Sequence, residues 1–174
     1  GALAAKTGVL GVKTGNVTIE DNATAASAAI TTVTLDGYGT TAIGGTNTLS
    51  KLTTLSLSNS GSSATAGKQD AAVTVDAAGV ATLALNLNNV QGTVNLDGAA
   101  DNALKTLNVT TSGANSTFGL TAAAVETLTV AGDKAASFTN DLTKLKTVTV
   151  SGSAGLTLAA AAADTITSIN TTAT

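Results

Sequence analysis

Apolar and polar positions along this chain recur in a fixed phrase. Leu145-Lys146-Thr147-Val148-Thr149-Val150 repeats Val125-Glu126-Thr127-Leu128-Thr129-Val130 and Leu104-Lys105-Thr106-Leu107-Asn108-Val109, and it returns as Ile166-Thr167-Ser168-Ile169-Asn170. Successive copies lie 21, 20 and 21 residues apart. The first, fourth and sixth places are Val, Leu or Ile, except that Thr171 takes the last sixth place. The third place is Thr or Ser and the fifth is Thr or Asn. The last three places therefore alternate apolar, polar, apolar, which predicts a strand with one buried face. A strand returning at a near-constant interval of this length predicts a solenoid, each turn of chain stacking on the one before.

The ladder extends upstream. Ile30-Thr31-Thr32-Val33-Thr34-Leu35 is followed 22 residues later by Leu52-Thr53-Thr54-Leu55-Ser56-Leu57, and Val9-Leu10-Gly11-Val12 precedes it by 21. A second strand is predicted about half a coil after the first, at Ile43, Phe118, Phe138 and Leu158. Phe118, Phe138 and Leu158 recur at intervals of 20, which would stack both Phe residues in one interior row. Corners fall at Thr111-Ser112-Gly113, Ala131-Gly132-Asp133 and Ser151-Gly152-Ser153, residue types that favour turns. Ala72-Val73-Thr74-Val75, Thr82-Leu83-Ala84-Leu85 and Thr93-Val94-Asn95-Leu96 keep the half-coil beat. The 52 residues from Leu55 to Leu107 do not divide into coils of 20 to 22, so an inserted loop is placed at Ser58 to Asp70. The prediction is an all-β parallel β-solenoid over 1–174 of roughly eight coils and on the order of 40 Å long.

Composition sharpens this picture. Of 174 residues 43% are apolar but only 2% aromatic, so the core must be thin and built from Val, Leu, Ile and Ala. There is no Pro, which suits strands that donate every ladder hydrogen bond. A net charge of -3 and the absence of Arg argue against nucleic acid as a partner, because neutralising phosphates takes clustered cations. No apolar run reaches the roughly 20 residues of a membrane-spanning helix. The chain opens Gly1-Ala2-Leu3 without Met or a signal peptide, and is read as a segment of a longer protein. Lack of Cys excludes disulfides.

The repeated phrase with Ala-rich returns such as Thr121-Ala122-Ala123-Ala124, and the phrases Val33-Thr34-Leu35-Asp36-Gly37 and Val94-Asn95-Leu96-Asp97-Gly98, resemble bacterial surface-layer proteins of the Caulobacter type. They are also similar to the β-strand repeats of type I secreted adhesins. The resemblance covers nearly the whole chain. It implies a right-handed parallel β-helix, one-step secretion, and a structural role at the bacterial cell surface, as a lattice subunit or an adhesin stalk. The partners it implies are copies of the chain itself and cell-surface polysaccharide. The glycine-aspartate nonapeptides that bind calcium in those families are absent; Gly44-Gly45-Thr46-Asn47 lacks the Asp.

Catalysis finds little to work with. Polysaccharide-cleaving β-helices need clustered carboxylates or a cation in a groove with aromatics, whereas here the carboxylates are scattered and His, Arg, Cys and Trp are missing. No enzyme is expected. Asp97 with Asp101, and Glu20 with Asp21, are the candidate oxygen ligands for structural calcium, against the plainer reading that each caps a turn. Thr32 and Thr34, Thr54 and Ser56, Thr127 and Thr129, and Thr147 and Thr149 are predicted to point outward. That array resembles the ice-binding face of solenoid antifreeze proteins, but Asn108, Ser168 and Asn170 interrupt it. Exposed β-branched Thr also simply suits a solvated strand. Lys105, Glu126 and Lys146 fall in successive coils and predict a column of alternating charge. Tyr38, in the corner Asp36-Gly37-Tyr38-Gly39, is read either as a glycan or lattice contact or as a ring folded onto its own coil.

Overall fold

The computed structural model describes residues 17–21, 28–60, 71–98, 103–158 and 165–173. Strands of the first sheet are β1 (Val17–Ile19), β3 (Thr41–Ile43), β5 (Ala72–Val75), β7 (Thr93–Asn95), β9 (Ser116–Thr121), β11 (Ala136–Asp141) and β13 (Leu156–Leu158). The second sheet holds β2 (Thr32–Asp36), β4 (Thr54–Ser58), β6 (Thr82–Asn88), β8 (Thr106–Thr111), β10 (Thr127–Gly132), β12 (Thr147–Gly152) and β14 (Ser168–Ala173). Each sheet runs in that order, every pairing is parallel, and the chain alternates between the two. The protein is thus a parallel β-solenoid of about six turns among the described residues. At the inter-strand spacing this is a stack of about 30 Å, shorter than eight coils would give. The strand expected at Val9 to Val12 lies outside the described residues.

Inward positions form vertical rows of like side chains. Val33, Leu55, Leu85, Val109, Val130 and Val150 stack in one row of the second sheet. Leu83, Leu107, Leu128 and Val148 stack in the next. Opposite them, Phe138 sits between Phe118 and Leu158, with the two rings 5.0 Å apart and tilted by 60°. The predicted aromatic row is therefore real, and its tilted geometry is one that aromatic pairs prefer. A third row runs Leu35, Leu57, Leu87 and then changes to Thr111, Gly132 and Gly152. There the backbone closes in: Gly132 has φ +122°, and a Cβ on it would overlap the Thr111 carbonyl oxygen. Buried Thr111 keeps its hydroxyl satisfied by donating to the Lys134 carbonyl at 2.7 Å.

Coil length is less regular than the phrase suggests. Vertical steps in the second sheet are 22, 30, 24, 21, 20 and 21 residues. The step of 30 spans 58–70, where the sequence places its insertion; residues 61–70 themselves lie outside the description. The step of 24 requires a second, smaller addition, and the 26-residue step from Val94 to Leu120 confines it to the stretch between β7 and β8. Together they correct the alignment of the phrase. Leu55 stacks through Leu85 on Val109, not on Leu107. The slip is two residues, so each side chain keeps its face, because the strand period is two.

One corner recurs as a turn bracketed by buried apolar residues. Leu52 N–H donates to Leu49 C=O, Val80 to Ala77, Val125 to Ala122 and Leu145 to Leu142, at 3.0 to 3.1 Å. The first place of the phrase is thus the end of this turn, and its apolar character comes from plugging the corner of the core. Because Leu128 is wholly buried and Thr127 beside it half-exposed, we expect Leu128→Ala to cost about 2–5 kcal/mol. Thr127→Ala should stay within about 1 kcal/mol. Urea unfolding of the two variants measures both, and equal losses would contradict the assignment of faces.

Candidate functional site

Among the described residues the surface is best described by its walls. Strand alternation turns every second side chain of the second sheet outward. Register then sets these residues in rows. Thr82, Thr106, Thr127, Thr147 and Ser168 make one. Thr32, Thr54, Ala84, Asn108, Thr129, Thr149 and Asn170 make the second. The third is Thr34, Ser56, Asn86, Thr110, Ala131, Ser151 and Thr172. All the predicted outward Thr and Ser residues lie in these rows, none of which contains a charged side chain. The polar groups also bond along the row: Thr129 Oγ1 donates to Asn108 Oδ1 at 2.7 Å, and Asn86 Nδ2 donates to Ser56 Oγ at 3.0 Å. Asn108 therefore continues the hydroxyl row as a hydrogen-bonding member of it.

The charge lies beside the wall. Glu126 accepts from Lys146 Nζ at 2.7 Å and lies 3.3 Å from Lys105 Nζ, one coil away on either side. The Lys146 hydrogen bond, and after it that of Lys105, holds the exposed Glu126 carboxyl below the usual glutamate range. Such an exposed triad adds little to stability but penalises coils that slip, since a displaced carboxylate would lose both cations.

At the far end of the second-sheet strands runs a polar corner that the sequence reading missed. Gly37, Asn59, Asn89 and Gly113 all have positive φ, between 52° and 65°. Asp36 Oδ1 accepts from Ser58 Oγ and Asn59 Nδ2, both at 2.8 Å, and Asn89 Nδ2 reaches Asn59 Oδ1 at 3.4 Å. Those two donors hold the Asp36 carboxyl below its ordinary pKa. The signal was present as Leu35-Asp36-Gly37, Leu57-Ser58-Asn59 and Leu87-Asn88-Asn89: a core Leu, a polar residue, then one of the residue types that tolerate the left-handed region.

Tyr38 does not stand out from its corner. It is buried, and burial pushes its phenol up to about 12, with the nearby Ser60 hydroxyl acting weakly against this. Ser60 donates to the Gln91 carbonyl and accepts from its amide, and the buried Tyr38 hydroxyl has no hydrogen-bond partner among the described residues. Of the two readings of Tyr38, the ring folded onto its own coil agrees with its burial: glycine on both sides lets it turn inward, where its apolar area is removed from water.

The calcium candidates do not converge. Glu20 accepts from Thr46 N–H at 3.2 Å and Asn47 Nδ2 at 3.4 Å in the next coil. Asp21 accepts from Ala29 and Ile30 N–H at 2.9 Å. Asp97 takes the Ala123 N–H at 2.7 Å, and Asp101 lies outside the described residues. Each described carboxylate ties backbone of a different turn or coil. Among the described residues no group of three or more Asp or Glu side chains could hold a metal together. A shallow groove of about 150 Å³ beside Ser56, Ser58, Asn86 and Asn88 has no carboxylate in its lining.

No family model, curated protein or solved structure matches the chain.

Tyr38 is the only Tyr and Trp is absent, so phenolate absorbance reports on it alone. In native protein it should titrate near 12 rather than near 10. The raised value makes the unfolded chain release the proton first, so stability contributed by the neutral phenol is full below pH 10 and falls as pH rises towards 12. A native titration at the ordinary value would place the ring in solvent. The sign is opposite for Glu126: its contribution is present above the ordinary glutamate pKa and lost as pH falls through the lowered native value. Its carboxyl carbon resonance should titrate at higher pH in Lys146→Ala; no movement would refute the triad.

Proposed function

We infer that this chain is a structural segment of a bacterial cell-surface layer, a rod outside the cell that packs through its walls against copies of itself. The observation that carries this reading is the outer wall of the second sheet, three rows of Thr, Ser and Asn, interrupted by Ala84 and Ala131, without a charged member. Such a wall sheds little bound water when it meets another surface, and its hydroxyls and amides can exchange hydrogen bonds with an identical wall or with polysaccharide. Parallel ladders tie each described strand to its neighbours along the axis, which stiffens the rod and protects those strands from proteases. These are the properties asked of a lattice subunit or a stalk, and they need no catalytic group.

The same wall supports a second reading, a ligand-binding segment of an adhesin that takes glycan or ice. What favours it is the unbroken hydroxyl row from Thr82 to Ser168. Ala84 and Ala131 break the two rows beside it, which weakens a lattice match to ice more than it weakens wall-to-wall packing.

Electron microscopy of the parent protein on cells, with this segment located by antibody, separates the readings. We expect a periodic two-dimensional sheet whose order is lost in Thr129→Lys. Separate projecting filaments would replace the lattice by a stalk, and an intracellular location would overturn both. The calcium expectation has its own test. Because Glu20, Asp21 and Asp97 are engaged by backbone N–H groups, thermal unfolding should be the same in chelator as in millimolar calcium. A difference of several degrees would put a cation among them.

A further inference from the structure

We propose that Asp36-Gly37 and Asp97-Gly98 are latent isoaspartate sites, held shut by the neighbouring coils and open to ageing only in a chain whose stack has come apart. This does not rest on the surface-layer reading. The two links are the Asp-Gly pairs of the sequence, both within the phrase Leu-Asp-Gly, and there is no Asn-Gly. In such a link the glycine amide nitrogen, with no side chain beside it, can attack the aspartate Cγ. A new C–N bond closes a cyclic imide, while the amide proton and the carboxyl hydroxyl leave as water. Water then adds back to the imide. When the ring opens at the C–N bond to the former main-chain carbonyl, the backbone is left running through the aspartate side chain. That path contains an extra carbon, which breaks the even repeat on which the ladder depends.

The fold itself requires both glycines. Gly37 has φ +63°, and a Cβ on Gly98 would overlap the Val75 carbonyl oxygen. Reactive pairs are thereby built into two corners, where Asp36 and Gly98 are exposed and water is at hand. What withholds the reaction is the placing of the reacting groups. At Asp36, Ser58 of the next coil takes both of them. Its carbonyl accepts the Gly37 N–H at 3.0 Å, and its hydroxyl donates to Asp36 Oδ1 at 2.8 Å. Asn59 Nδ2 donates to the same oxygen at 2.8 Å. These donors also keep the carboxyl ionised, and a carboxylate is a poorer target for the amide than a neutral acid, which has a hydroxyl to lose. At Asp97 the two groups are drawn to opposite neighbours. The Gly98 N–H donates to the Val75 carbonyl at 3.0 Å in the coil before, and Asp97 Oδ2 accepts the Ala123 N–H at 2.7 Å from the coil after. Ring closure at either link therefore has to break hydrogen bonds between coils, which makes it wait on local opening.

The test holds the 174-residue chain for weeks at neutral pH and physiological temperature, folded and in guanidinium chloride. Peptide mapping then separates isoaspartyl from aspartyl peptides of equal mass. Both links should convert in the denatured chain, and at least roughly tenfold more slowly in the folded one. The double variant Ser58→Ala with Asn59→Gly removes both side-chain donors, while glycine keeps the left-handed backbone of position 59. In it Asp36 should age faster than in the unsubstituted chain, and Asp97 should not. Circular dichroism checks that the variant is folded; if its coils have separated, both links should age, and the folded and denatured forms of the unsubstituted chain decide the matter. Equal rates in those two forms at either link overturn the proposal. So does a denatured chain that stays unmodified, or a folded variant in which Asp36 ages no faster.

Discussion

Everything in this molecule depends on the requirement that each coil hand its backbone hydrogen bonds and its inward side chains to the next coil in register. A strand of three to seven residues has no stability of its own. Placed between two others it satisfies its N–H and C=O groups on both sides and sets Leu on Leu or Val on Val along the axis. The core is therefore one side chain thick from each sheet, and the buried aromatic outside the Phe row, Tyr38, lies at a corner. Two Phe residues are accommodated because they stack on each other.

Given that requirement, the irregular features are compensations. Where the third inward row loses Leu after Leu87, Thr111 and two glycines bring the backbones of successive coils close together. Where coils lengthen, the strands resume with faces unchanged. Carboxylates at corners are spent on backbone amides of their own or the next coil, as Asp21, Asp97 and Glu20 show. Charge that remains is aligned across coils, with Glu126 between two lysines.

The alternation in the phrase and its return at 20 to 22 residues make the solenoid and the buried and exposed faces legible in the sequence, because strand period and coil length are local quantities. The Phe118–Phe138–Leu158 row and the Lys105–Glu126–Lys146 column follow from the same arithmetic in the regular C-terminal coils. The corner at Asp36, Asn59 and Asn89 was also written in the residue types, but its recurrence is hidden by unequal coil lengths.

Only the tertiary structure decided which residue stacks on which between Leu55 and Leu107. Two additions share that interval, and sequence spacing constrains their sum but not their division. A two-residue slip leaves every face unchanged, so the hydrophobic pattern is blind to it, and only the hydrogen-bonded ladder sets Leu55 under Leu85 and Val109. The fate of Tyr38 was likewise settled in three dimensions: glycines on either side permit the ring to point in or out, and it is the room left by neighbouring coils that turned it inward.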